Sequence, residues 1–166
     1  GKADYMKDLC KKIDFSKVGF VVFNGDMSSS VESEEQLFAD YIDASVALFA
    51  SGTPILFNRG NHETRGVFAD SLGDYFPGRD GRFYGIYRYG DVCILLLDCG
   101  EDKPDDHAEY NGLADYDAYR AEECAWLKKA VRSAQTVGVY AAFSILQPVY
   151  TVPSEQRSAA PTLYPE

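Results

Sequence analysis

Two short polar clusters carry the residues of this chain that could do chemistry: Asn24-Gly25-Asp26 and Arg59-Gly60-Asn61-His62-Glu63. Each follows a short apolar run, Val18-Gly19-Phe20-Val21-Val22-Phe23 and Pro54-Ile55-Leu56-Phe57, so each sits where a buried strand should end. Ligands of open α/β sheets bind beyond the carboxyl ends of the strands, and the separation of the clusters suits one βαβ repeat. That places Asp26, Asn61 and His62 on one rim. A carboxylate, an amide oxygen and an imidazole converging there are ligands for a hard or borderline cation, or acid/base groups. Taken singly, each has a plainer reading: Gly-Asp as a turn whose carboxylate caps the next helix, Asn61 as a left-handed turn residue, His62 as a surface histidine.

The elements that must position these groups alternate along the chain. An opening helix has Tyr5, Met6, Leu9 and Ile13 at helical spacing. From Ser33 to Phe49 the pattern predicts a helix begun by Ser33, with Glu34 and Glu35 in its first turn and an apolar stripe of Phe38, Tyr41, Ile42, Val46 and Phe49. A short helix is expected from Thr64 to Leu72. Strands at 82–89 and 91–97 meet at Gly90-Asp91, too tight for a crossover, so they should form an antiparallel hairpin. The segment 100–115 is a long acidic loop carrying Glu101, Asp102, Asp105, Asp106, His107 and Glu109, read as a substrate-facing lid or a solvated charge run rather than a calcium loop. A helix from Tyr116 to Ala134 and a strand from Val137 to Phe143 follow. The aromatic residues Tyr75, Phe76, Phe83, Tyr84, Tyr87 and Tyr89, with Trp126, read as packing. The fold class is α/β with mixed sheets: one domain over 1–152 and an irregular tail over 153–166.

With 46% hydrophobic residues in 166, the chain can bury a sizeable core. Apolar stretches such as Val92-Cys93-Ile94-Leu95-Leu96-Leu97 are strand-sized, far short of the ~20 residues of a membrane span. A net charge of −10 argues against a nucleic-acid partner, whose affinity comes from Lys and Arg on phosphates. It does not exclude small phosphate esters, because bound divalent cations reverse the local potential. The four cysteines, Cys10, Cys93, Cys99 and Cys124, form no CxxC pair; Cys10, Cys93 and Cys124 read as small buried hydrophobes. The compartment is left open.

The residues GD and GNHE, in this order and spacing, resemble the calcineurin-like metallophosphoesterases, a family that includes the purple acid phosphatases. The resemblance covers roughly residues 1–145 and implies part of an αββα sandwich with mixed sheets. It also implies a hydrolase of phosphate esters, phosphatase or phosphodiesterase, using two divalent metals (Mn, Fe or Zn). By the same resemblance Asp26 would bridge the metals, Asn61 would bind one, and His62 would act on the substrate phosphate or its leaving group. Glu63 would orient His62 by accepting its other ring proton, and Arg59 and His107 are candidate substrate contacts. Ser29 stands where the purple acid phosphatases carry a Tyr, so the iron-tyrosinate variant is not supported.

The family builds its site from Asp-x-His, GD, GNH, a later lone His and a final Gly-His-x-His, and only the middle two motifs are here. The chain has two histidines, His62 and His107, so it cannot supply the remaining imidazoles. Where the lone His would follow the late strand stand Ser144-Ile145-Leu146-Gln147-Pro148. The resemblance implies Gly1 as the glycine after Asp-x-His, so the sequence reads as a fragment; a residue left by tag removal is the alternative. Weak single-ion binding at most, and negligible activity of the chain alone, are expected. A missing strand would leave a sheet edge open to another copy, giving a homo-oligomer. The competing reading is a non-catalytic member acting as a structural or interaction module.

Overall fold

The computed structural model describes residues 2–133, and 139–143 through their backbone. Helix α1 (Lys2–Cys10) leads into strand β1 (Val21–Asn24), and a long helix α2 (34–50) crosses to strand β2 (Ile55–Asn58). Strands β1 and β2 pair in parallel from Val21↔Ile55 to Asn24↔Asn58. The antiparallel hairpin is present, with β3 (Gly85–Tyr89) against β4 (Val92–Leu96), and strand β5 (Val139–Phe143) adds in parallel to the far side of β4. The protein is therefore mixed α/β, with one parallel and one mixed sheet among the described residues.

Ser33 starts α2 as its residue type dictates: its hydroxyl accepts the Gln36 N–H at 3.2 Å, and Glu34 and Glu35 sit against the positive end of the helix. The helix contains two π-type stretches, Phe38–Ile42 and Val46–Ala50. Its buried face runs through Leu37, Tyr41, Ala44, Ser45 and Phe49; Val46 lies off it and is half exposed. With Phe23, Val31, Phe57, Ala69 and Leu72 this face makes the core under the parallel pair. Phe76 closes it by stacking on Phe57 at 4.1 Å between ring centres.

Three expectations are corrected. In α1 it is Met6 and Cys10 that pack on the core, while Tyr5 and Leu9, one residue round the helix, are 74% and 78% exposed. The helix expected over 64–72 does not form: Arg65 is extended and Gly66 takes φ +97°, so regular helix resumes only at α3 (Leu72–Tyr75). Here Val31 accepts from Phe68 N–H and donates to the Arg65 carbonyl, and a Cβ on Gly66 would strike the Val31 backbone. The final described helix, α4 (Tyr116–Ala130), exposes Cys124 rather than burying it. No helix among the described residues is long and apolar enough to cross a membrane. The tail from 153 and the segment 144–148 lie outside the described residues.

Candidate functional site

Beyond β1 the chain turns through Gly25 and Asp26, both left-handed at φ 72° and 54°, a conformation Asp adopts more readily than most residues. The carboxylate does not cap the following helix, whose cap is Ser33; it turns toward the loop after β2 and accepts the His62 N–H at 3.3 Å. Gly60 allows this approach, because a Cβ there would collide with Asp26 and with the Glu63 carboxylate.

Glu63 joins the two loops. Fully buried, it accepts Asp26 N–H (2.8 Å) and Gly60 N–H (2.9 Å) on Oε2 and Ser28 N–H (3.1 Å) on Oε1. The expected bond from Glu63 to the His62 ring is therefore corrected, since both of its oxygens are engaged by backbone donors of Asp26, Ser28 and Gly60. His62 Nδ1 instead meets the Ser29 carbonyl at 2.8 Å. A carbonyl only accepts, so Nδ1 carries a proton and Nε2 is the basic nitrogen of the neutral ring.

Asn61 is 4% exposed, and its amide lies 3.3 Å from Asp26 Oδ1 and 2.9 Å from Arg65 Nη2. A guanidinium only donates and a carboxylate only accepts, so the two amide atoms pair with both neighbours when the nitrogen is set toward Asp26 and the oxygen toward Arg65. Arg65 is in turn held by Glu101, Nε to Oε1 and Nη2 to Oε2, both at 2.8 Å. Thr64 and Tyr110 also donate to Glu101, at 3.0 and 3.2 Å. Burial opposes ionisation of Glu101, yet the hydrogen bonds from Arg65 and Thr64 hold its carboxyl below the usual range.

Arg59 is not available to a substrate, contrary to expectation. Its guanidinium is 2.7 Å from the fully buried Asp98 and lies over the Phe83 ring at 4.2 Å. Asp98, just beyond β4, also accepts from Tyr119 Oη at 2.8 Å and Gly100 N–H at 3.0 Å. His107 engages its own turn, its Nδ1 accepting the Glu109 N–H at 3.3 Å. The acidic loop around it is stapled rather than loose: Glu101 docks on Arg65, and Asp105 accepts the first N–H groups of α4, from Tyr116 and Asp117.

Sequence reading missed Arg65, Glu101, Asp98 and Glu123. Asp98 had a signal, since it ends an apolar run just as Asp26 does. Glu123, 7% exposed, accepts the Asp98 N–H at 2.7 Å. Burial, and then the nearby charge of Asp98, push its carboxyl up to about 7 against that hydrogen bond. A carboxyl that holds its proton more tightly when folded adds stability at low pH and loses it as pH rises from the unfolded toward the folded value. Stability should therefore fall by on the order of 2–3 kcal/mol from this group across that window. Urea midpoints of the wild type and Glu123→Gln at about pH 5 and about pH 8 check it. An equal pH response in both proteins would remove Glu123 as the source.

The site offers Asp26 and, opposite it, one neutral amide. Among the described residues no group of three or more His, Cys, Asp or Glu stands close enough to hold a metal ion. A pair of divalent cations, each needing several oxygen or nitrogen donors, does not fit this set.

Comparison with curated proteins found no match. The profile of the calcineurin-like phosphoesterases matches residues 1–142, a span that takes in both strand-end loops, the hairpin and α4. A family of this chemistry usually binds divalent metals and hydrolyses phosphoesters, and with most of its length matched the chain belongs to the calcineurin-like phosphoesterase family.

Proposed function

We propose that Asp26 and Asn61 are the metal-facing groups, and His62 the phosphate- or leaving-group-facing group, of a metal-dependent phosphomonoesterase or phosphodiesterase site. We further propose that these 166 residues by themselves hold too few donors to turn over. The observation that carries the reading is the meeting of the Asp26 carboxylate and the Asn61 amide, 3.3 Å apart, past the ends of two parallel neighbouring strands. Metals in such a site polarise phosphoryl oxygens and supply a hydroxide nucleophile. The contribution of this chain is the frame: Glu63 locks the two loops together, and Ser29 sets the His62 tautomer so that Nε2 is the nitrogen able to take or return a proton. The poor fit of two metals favours a second reading, a member that keeps the fold as an interaction module.

The test is an assay of the purified chain on an aryl phosphate with Mn²⁺, Zn²⁺ or Fe²⁺. The expected result is no metal-dependent hydrolysis above background. Robust turnover abolished by Asp26→Asn would overturn the proposed inactivity and keep the site. Light scattering on the same sample addresses the self-association expected of sheet edges such as those of β1 and β2, which no other strand among the described residues covers, and a clean 18.4 kDa monomer would dismiss it.

A further inference from the structure

We propose that the cleft between α1 and β1 binds an amphipathic organic cation, a primary alkylammonium whose head meets Asp40, Asp26 and the Tyr41 hydroxyl and whose alkyl chain lies along β1. The inference goes beyond the phosphoesterase reading and uses none of its metals. The cleft has a volume of about 540 Å³, room for a small molecule. Most of its lining is apolar, with Met6 and Leu9 on the α1 side and Phe15, Val18 and Val22 on the stretch leading into and through β1. An alkyl chain in this cleft would also cover Tyr5, which with Leu9 is the most exposed apolar side chain of α1.

The acceptors of the cleft gather beyond the end of β1. Asp40 is tied to the turn that carries Asp26, since its Oδ2 accepts from Ser28 Oγ at 2.7 Å and from Gln36 Nε2 at 3.3 Å. Asp26 Oδ1 accepts the His62 N–H. The second oxygen of each carboxylate takes no hydrogen bond among the described residues. Tyr41, next in the chain, is 0% exposed and held between Phe23 and Phe76, yet its hydroxyl has no partner among the described residues. Buried polar atoms without a partner are rare in folded proteins, so this one marks a place for a ligand group. Burial, and then the charges of Glu63 and Asp40, push the Tyr41 hydroxyl up, so it stays protonated and keeps its lone pairs as acceptors. Two free carboxylate oxygens and a phenol oxygen match the three N–H donors and single charge of an ammonium group. Lys2 is the one cation in the lining and is outnumbered by the two carboxylates. A carboxylate or phosphate head would meet the same two charges as repulsion.

The test is calorimetric titration of the full chain with octylammonium, hexylammonium, octanol and octanoate near neutral pH, where the amines are charged. Octylammonium should bind saturably, hexylammonium on the order of tenfold more weakly for its two missing methylenes, and octanoate not at all. Tyr41→Phe should weaken octylammonium by about threefold to tenfold, the worth of one hydrogen bond. Its urea midpoint should be no lower than that of the wild type, because the change removes an unpaired hydroxyl and no bond. Asp40→Asn, whose amide oxygen can still accept from Ser28, should weaken octylammonium by about tenfold or more through the lost charge. The absence of saturable octylammonium binding to the wild type overturns the inference, as does octanol or octanoate binding as tightly as the amine. Octylammonium affinity unchanged in both Tyr41→Phe and Asp40→Asn places the ligand elsewhere and overturns it as well.

Discussion

Replacing Glu63 by Ala is expected to lower the stability of the protein by about 3–5 kcal/mol, because it orphans three backbone N–H groups at once, two of them buried and one partly buried. Those donors, on Asp26, Ser28 and Gly60, belong to the two loops that carry the candidate site. Their loss should loosen the loops as well as destabilise the fold, leaving the Asp26–His62 N–H and His62–Ser29 bonds to hold them together. Glu63→Gln keeps one acceptor oxygen and turns an NH₂ toward the remaining donors, so it should fall between wild type and Ala. Urea denaturation of the three proteins reads this directly. An Ala variant within about 1 kcal/mol of wild type would mean that water satisfies these groups, and that Glu63 is not what joins the loops.

Arg59→Met should cost a comparable amount, about 3–5 kcal/mol, by leaving Asp98 as a buried charge without its cation. Asp98 would retain the Tyr119 hydroxyl and the Gly100 N–H, which orient a carboxylate but do not neutralise it. The pair ties the start of the site loop after β2 to the end of β4, and Phe83 covers the guanidinium. The double variant Arg59→Met with Asp98→Asn should therefore be less destabilised than the sum of the two single changes. Simple additivity would show that the two residues do not act as a pair. A substrate-binding arginine would behave differently, with near-normal stability and an effect confined to ligand affinity.

Much of the architecture was legible in the residue order. Apolar runs ended by Gly-Asp and Gly-Asn located the strand ends, because burial of a strand requires apolar residues; of the two, Gly25-Asp26 makes the left-handed turn that favours Gly and Asp, whereas Asn61 is right-handed and Gly60 is needed for close approach. Ser33 marked the start of α2, and the short link at Gly90-Asp91 forced an antiparallel hairpin. The helix over 64–72 failed on a tertiary contact: the Val31 backbone presses on Gly66, and Val31 bonds to Arg65 and Phe68 replace the local helical ones.

Composition alone determined how many imidazoles the chain can offer: two in any fold, those of His62 and His107. Only the tertiary structure decided what the charged residues around Asn61 do. Arg59, Glu63 and Arg65 lie within one short stretch, yet Arg59 pairs with Asp98 beyond β4, Glu63 with the backbone beyond β1, and Arg65 with Glu101 in the loop after β4. The physical reason is that a buried charge takes whichever partner the fold brings within about 3 Å, and those partners come from segments that the local sequence does not specify.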